Sequence, residues 1–478
     1  MPGMRTSTLC ALFLTAFPLF GAANPFQSGD TVCWVGDSIT HGGTYHAMVE
    51  LFYATRFPDR QIRYYNDGIG GDRAAGIMSD EKYRLNEDIL SHKCSVATIM
   101  LGMNDINRSD YGPGKTGPEF EQKHQRNLEI YEENMRKLME ALTKAGSRII
   151  LIKPSIFDET TTLPGAGTNA TGSNEALGKC SAMIDRWAVE YHTGVVDFYD
   201  LMNEVNEREQ KKDPNYTLVG KDRVHPGPVG HFVMAYAFLK AQNLTRDVAA
   251  MDVNAKKAKP RSLVNSEIRH IRKLPNGIEF DALEKSLPFV VPDNARAALD
   301  LVPFTKDLNQ ETLAVSGLAN GNYTLKIDDE AAGEFSAEQL KAGINLAEDA
   351  KTPQYRQSAA AGKISAERTA IGARIRDVVA QKYTLSKAKV DVFDNADVEK
   401  RMRDQIAAAK AAGKPVNRAW EAVLQDIAEP GIMMRQYDDL SVELRKACQP
   451  KEHHFAIVRA TVTAHHDLSR QLGSRALP

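Results

Sequence analysis

Between residues 30 and 243, short apolar runs alternate with stretches of helical period. That alternation restricts the region to a parallel sheet covered by helices on both faces. The runs fall at 31–35, 61–65, 95–101, 148–152 and 194–198. In the clearest helix, Leu128, Tyr131, Met135, Leu138, Met139 and Leu142 recur at helical spacing. Thr116 and Glu119 have capping-box spacing at its start, and Gly146 stands past its end. Such sheets bind ligands beyond the carboxyl ends of their strands, so the residues after each run are the first candidates for function.

Four segments of this region carry chemistry. Gly36-Asp37-Ser38-Ile39-Thr40 ends the first run in a small polar turn with a serine. Asn66-Asp67-Gly68-Ile69-Gly70-Gly71-Asp72 follows the second, and its glycines let a ligand approach backbone N–H groups. Gly102-Met103-Asn104-Asp105 ends the third, where an asparagine amide faces the same crevice. Asp222-Arg223-Val224-His225-Pro226 precedes a helix-like stretch at 232–240.

Serine, histidine and aspartate are the parts of nucleophilic acyl transfer. Ser38 is expected to attack an ester carbonyl, and His225 to take its proton and return it to the leaving alcohol. Asp222, three residues before His225, is placed to hold the imidazole tautomer. The Ser38 N–H, the Asn104 amide and one glycine N–H would stabilise the oxyanion. The residues alone leave Gly70 and Gly71 open for that last role. Ser38 as a helix cap and Asn104-Asp105 as a turn are the structural alternatives. The concurrence of four segments favours the chemistry.

Together the segments resemble the SGNH (GDSL-type) hydrolases. Block I reads Gly36-Asp37-Ser38-Ile39-Thr40 and block II Asn66-x-Gly68-Ile69-x-Gly71-Asp72. Block III reads Gly102-x-Asn104-Asp105 and block V Asp222-x-x-His225-Pro226. The resemblance covers residues 30–243. It implies a flavodoxin-like three-layer α/β/α sandwich and ester hydrolysis without metal or cofactor. It also selects Gly71 as oxyanion donor beside Ser38 and Asn104. Block I has Ser-Ile-Thr in place of Ser-Leu, a variant of the acetylesterase-like and platelet-activating-factor-acetylhydrolase-like branches. Membership of those branches implies a short acyl group, commonly acetyl on a carbohydrate in exported bacterial members. A non-catalytic binding or scaffold protein would be expected to lack one of Ser38, Asp222 or His225. Phospholipid and small-molecule esters are the other substrate classes.

Other signals are weaker. The formal net charge of −2 argues against a nucleic-acid surface. Gly112-Pro113-Gly114-Lys115-Thr116-Gly117 ends like a phosphate loop but has Ser109 where that motif needs glycine, so a substrate-flanking loop is expected. Thr40 replaces the last glycine of a G-x-S-x-G elbow. His453-His454 and His465-His466 lack accompanying metal-ligand spacing and are expected to be solvated. His41 and His231 lie near the catalytic segments, with supporting or packing roles. Cys33 and Cys94 belong to strand-like segments and are expected to be buried thiols rather than a bridge.

Residues 1–23 have the pattern of an export signal: Arg5, an apolar stretch from Cys10 to Phe20, and Gly21-Ala22-Ala23 as cleavage context. A periplasmic or extracellular location follows, with no membrane span in the mature chain. Its partner is an acylated carbohydrate or other small ester. The expected layout is a catalytic domain at 24–245, a linker at 246–262, a small β-rich module at 263–345 and a helical region at 346–478. The module rests on a hairpin around Pro275-Asn276-Gly277 and on alternating Tyr323, Leu325 and Ile327. Three apolar stripes define the helical region: Ile364 to Val379, Val398 to Ile406, and Trp420 to Ile427. The last dozen residues look frayed.

Overall fold

The computed structural model describes residues 23–460, apart from 417, 428 and 429. Residues 1–22 of the expected export signal, His465-His466 and the last dozen residues fall outside the described residues.

Strands β1 (Thr31–Gly36), β2 (Arg63–Gly68), β3 (Val96–Met100), β4 (Arg148–Lys153) and β5 (Gly194–Asp197) form one sheet. Its order is β2-β1-β3-β4-β5 and every pairing is parallel. This is the flavodoxin-like doubly wound order, which leaves a crevice at the carboxyl ends of β1 and β3. The strands are continuous apolar runs because helices cover both faces. Helix Thr44–Arg56 packs on helix Pro228–Ala241, and helix Pro118–Lys144 on helix Ser173–Tyr191. The stripe expected in Pro118–Lys144 is its buried face. Its start differs from the expectation: Gly117 is the N-cap, Pro118 opens the helix and Thr116 caps nothing. Proline is pre-set for the first helical position, so no side-chain cap is needed. Gly146 ends the helix at φ 96°.

Residues 246–262 are not a linker. Strand β6 (Asp247–Asn254) buries Val248, Ala249, Met251 and Val253, and β7 (Lys259–Val264) pairs with it. With β10 (Gln310–Ser316) and β13 (Ile344–Asn345) they form a sheet of order β13-β10-β6-β7. A second sheet, β12-β11-β14-β9-β8, contains β8 (Ser266–Leu274), β9 (Gly277–Glu284), β11 (Asn322–Ile327) and β12 (Glu330–Ser336). Its central strand β14 (Glu452–Arg459) comes from the region expected to be helical. The β8–β9 hairpin forms as expected, turning at Pro275-Asn276. His453 and His454 lie on β14 and each faces a carboxylate: His453, which is buried, has Nδ1 2.6 Å from Asp328, and His454, which is partly exposed, has Nδ1 2.8 Å from Asp281. Sheet pairing on both sides of β14 brings these carboxylates into reach.

The helical region packs back on the catalytic domain. Helix Pro353–Lys387 runs across it, and Val378, Val398, Met402, Val423 and Ile427 form a core with Ile69 and Tyr83 of the catalytic domain. Cys33 and Cys94 are disulfide-bonded, with a Cα–Cα distance of 5.8 Å, contrary to the expected free thiols. Cys33 is on β1 and Cys94 enters β3, so the adjacency of those strands brings the two together.

Two carboxyl groups meet where the β sheets and the long helix join. Glu284 and Glu311 are almost fully buried, and Gln354 Nε2 donates to Glu284 at 2.7 Å. Burial pushes Glu284 up to about 7. Burial and the charge of Glu284 push Glu311 well above the usual carboxyl range. The folded chain therefore holds protons that the unfolded chain, with carboxyls near 4.5, releases. This stabilisation is full below the unfolded value and is lost as pH rises through the folded one. From pH 5 to pH 8 the unfolding free energy is expected to fall by about 1.4 kcal/mol per pH unit for each proton retained, read as a falling thermal midpoint. Glu311→Gln should flatten that slope; an unchanged slope would refute the retained-proton account.

Candidate active site

Ser38 opens a short helix, Ser38–His41, directly after β1. Asp37 caps it by accepting the Ile39 N–H at 3.0 Å. This helix approaches β2 so closely that a Cβ on Gly68 would lie 2.3 Å from the His41 nitrogen, and only glycine fits there. Ser38 is half-buried at the strand end.

The Asp222–His225 loop reaches over Ser38 from the other end of the domain. His225 Nε2 lies 2.7 Å from Ser38 Oγ, and His225 Nδ1 lies 2.5 Å from Asp222 Oδ2. The loop is shaped by Arg223, which holds φ 67° between the two. Its buried side chain donates to the Gly167 carbonyl at 2.9 Å and the Asp158 carbonyl at 2.7 Å. These contacts offset the strain of a left-handed arginine. Asp222 Oδ1 also accepts the N–H groups of Val224 and His225, each at 3.0 Å. Partial burial pushes Asp222 up, but the hydrogen bonds from His225 and the backbone prevail and hold it below the usual carboxylate range. It stays ionised and fixes the proton of His225 on Nδ1, which leaves Nε2 to accept from Ser38.

The glycine segment turns beside Ser38. The Asp72 N–H donates to the Ile69 carbonyl at 3.1 Å, and Gly71 takes φ 77°, the glycine position of a type II turn. Gly70 and Gly71 differ here. The Gly70 N–H is engaged by His41 Nδ1 at 3.1 Å. Neither the Gly71 N–H nor the Ser38 N–H has a partner among the described residues. Asn104 Nδ2 donates one hydrogen to the Asp72 carbonyl at 3.1 Å, and Asn104 Oδ1 accepts from Arg108 at 3.4 Å. Arg108 also donates to the Met103 carbonyl, so the amide has a fixed sense and a second N–H remains.

Buried carboxyls surround these donors. Burial pushes Asp37 up to about 6 and Asp105 up to about 7. Asp105 accepts the Ala74 N–H at 2.8 Å and the Gly102 N–H at 3.0 Å, joining the second and third segments. Burial pushes His231 down to about 3, so it is a neutral packing group stacked on Tyr45.

A family model for the GDSL-like lipase/acylhydrolase family matches residues 34–232. The chain is 30% identical to a gut microbial diltiazem-metabolizing enzyme of solved structure, over 92% of this chain and 99% of that one, with a TM-score of 0.83. The chain belongs to the GDSL-like lipase/acylhydrolase family. This GDSL-like acylhydrolase is also 27% identical to an acetylxylan esterase of Geobacillus stearothermophilus, over 45% of this chain and 94% of that one. It is thus a carboxylic ester hydrolase on an SGNH-type α/β domain. Its match to the acetylxylan esterase covers less than half of the chain, whereas the diltiazem-metabolizing enzyme matches it almost from end to end. Among the described residues of the acylhydrolase, no helix is long and apolar enough to cross a membrane.

The structure brings all the sequence candidates, Ser38, Asp222, His225, Gly71 and Asn104, to the strand ends and the loops around them. Arg108, Arg223 and Asp105 were missed by sequence reasoning. Asp105 and Arg223 lay inside the third and fourth segments without a role being read for them, and Arg108 carried no signal.

Proposed function

We propose that this acylhydrolase is a serine esterase that removes short acyl groups, acetyl first among them, from a carbohydrate or small-molecule alcohol. The observation that carries the proposal is the unbroken hydrogen-bonded line Asp222–His225–Ser38, at 2.5 Å and 2.7 Å. Ser38 Oγ attacks the ester carbonyl while His225 Nε2 takes its proton. The N–H groups of Ser38 and Gly71 and the free N–H of Asn104 receive the oxyanion. His225 then protonates the leaving alcohol. Water, deprotonated by the same imidazole, releases the acid.

The half-exposed triad suits a substrate that is met at the surface, with side-chain exposures of 47% for His225 and 53% for Asp222. The acetyl preference is supported by the acetylxylan esterase relative. A small-molecule substrate is supported by the relative that matches 92% of the chain, which is named for diltiazem. The export expected from the N-terminal sequence fits a polymer or an ingested compound met outside the cytosol. Acid release should be measured on acetylated xylo-oligosaccharides, diltiazem and p-nitrophenyl esters of rising chain length, with Ser38→Ala as the blank. The expected profile falls steeply beyond acetyl and propionyl. A rise toward long chains would overturn the short-acyl reading, and activity equal to the blank throughout would overturn the esterase.

A further inference from the structure

The long helix Pro353–Lys387 touches the turn on which the proposed oxyanion donor sits. Arg376 Nε donates to the Gly68 carbonyl at 2.6 Å, and its other two nitrogens hold Asp88, each at 2.6 Å. Tyr383 Oη lies 3.2 Å from Asp72 Oδ1. Ile69, between the two motif glycines, is 4% exposed and belongs to the apolar core made by this helix.

One connection runs from the helix to the turn itself. The Gly70 N–H donates to His41 Nδ1, which places the ring proton on Nε2. That proton is donated to Asp377 Oδ1 at 3.1 Å, across 336 residues of sequence. The His41 carbonyl in turn accepts from Asn66 Nδ2 at 3.1 Å. His41 closes the short helix that begins with Ser38, so it touches the nucleophile's helix, the glycine turn and the C-terminal helix at once.

A Gly-Gly pair has wide backbone freedom, and rotation of the peptide between Gly70 and Gly71 would swing the Gly71 N–H away from the crevice. The Gly70 N–H is part of the Ile69–Gly70 peptide, so its engagement by His41 anchors the turn at the residue from which the Gly70–Gly71 peptide rotates. We infer that His41 and Asp377 are positioning residues of the esterase: Asp377 holds the His41 ring, and His41 holds the Gly70-Gly71 turn with its free N–H toward the carbonyl oxygen of the substrate. The inference rests on the esterase reading above. It gives the C-terminal half, which the match to the acetylxylan esterase does not reach, a part in the active site.

The test is steady-state kinetics on p-nitrophenyl acetate with the full chain. Asp377 is half-exposed, at 52%, so its replacement is not expected to unfold the protein. Asp377→Ala should lower kcat about tenfold, with KM and melting temperature close to wild type, as a misplaced oxyanion donor requires. Asp377→Asn keeps an oxygen that accepts from His41 and should restore kcat to within about twofold. His41→Ala should lower kcat at least as far as Asp377→Ala, and His41→Asn, whose oxygen reaches the Gly70 N–H, should recover part of it. Unchanged kcat in Asp377→Ala would overturn the inference. So would an equal loss in Asp377→Asn, or a loss confined to KM. Ser38→Ala in the same series separates the two levels: activity surviving there would overturn the Ser38 nucleophile on which the inference rests.

Discussion

Ser38→Ala is expected to lower kcat for acetyl ester hydrolysis by about a millionfold, and adding His225→Ala should lower it no further. Both follow from geometry in which neither group has a catalytic use without the other. His225 Nε2 faces Ser38 Oγ at 2.7 Å, so the alanine variant leaves the imidazole with no proton to take. A millionfold is about 8 kcal/mol of barrier, most of what covalent catalysis with a base supplies. Independent contributions would multiply, and a double variant far below either single one would refute a shared step. Asp222→Asn should be milder, about 10⁴-fold or less. Its carboxylate is half in water, where solvent supplies part of the stabilisation that a buried aspartate gives an imidazolium. Progress curves at high enzyme concentration would rank the three.

The second large effect is on stability. Arg84→Met should destabilise the fold by about 3–5 kcal/mol. Arg84 is fully buried and donates to Asp72 Oδ2 at 2.9 Å, Asp88 Oδ2 at 2.5 Å and the Asp67 carbonyl at 2.6 Å. Its removal leaves buried carboxylates with part of their charge uncompensated. Arg376 still holds Asp88, so Asp72 carries most of the damage. Because the Asp72 carbonyl accepts from Asn104, activity should fall with stability. Urea unfolding of the variant against Lys123→Met makes the comparison. The Lys123–Glu119 pair lies on the open surface, and its loss should leave the midpoint unmoved. Equal midpoints for Arg84→Met and wild type would refute the account.

The catalytic domain was legible in the sequence because buried parallel strands are written as uninterrupted apolar runs. Its chemistry sits in the few residues after each run. The β strands beyond it were harder. β6 alternates Val248, Met251 and Val253 with alanine, aspartate and asparagine, a muted pattern, and β7 is an exposed lysine- and arginine-bearing edge. β14 carried a real alternation in His453, Phe455 and Ile457, but its partners β9 and β11 lie far upstream and nothing local names them. The Cys33–Cys94 bridge was within reach. The strand order places β1 beside β3, with Cys33 inside the first run and Cys94 immediately before the third. No pattern announces the His41–Asp377 contact, since an exposed aspartate on a helix resembles any other charge on a solvated face.

The placement of β14 bears on how the chain is made. Every residue of the five-stranded catalytic sheet has been synthesised by Asp197, yet the second β sheet lacks its middle strand until residue 459 has left the ribosome. Until then β9 and β11 each offer a bare hydrogen-bonding edge, a template for pairing with other chains. A polypeptide cut short by stalling or by a protease would therefore keep its nucleophile and still be marked as unfinished, by two open edges that β14 is shaped to close.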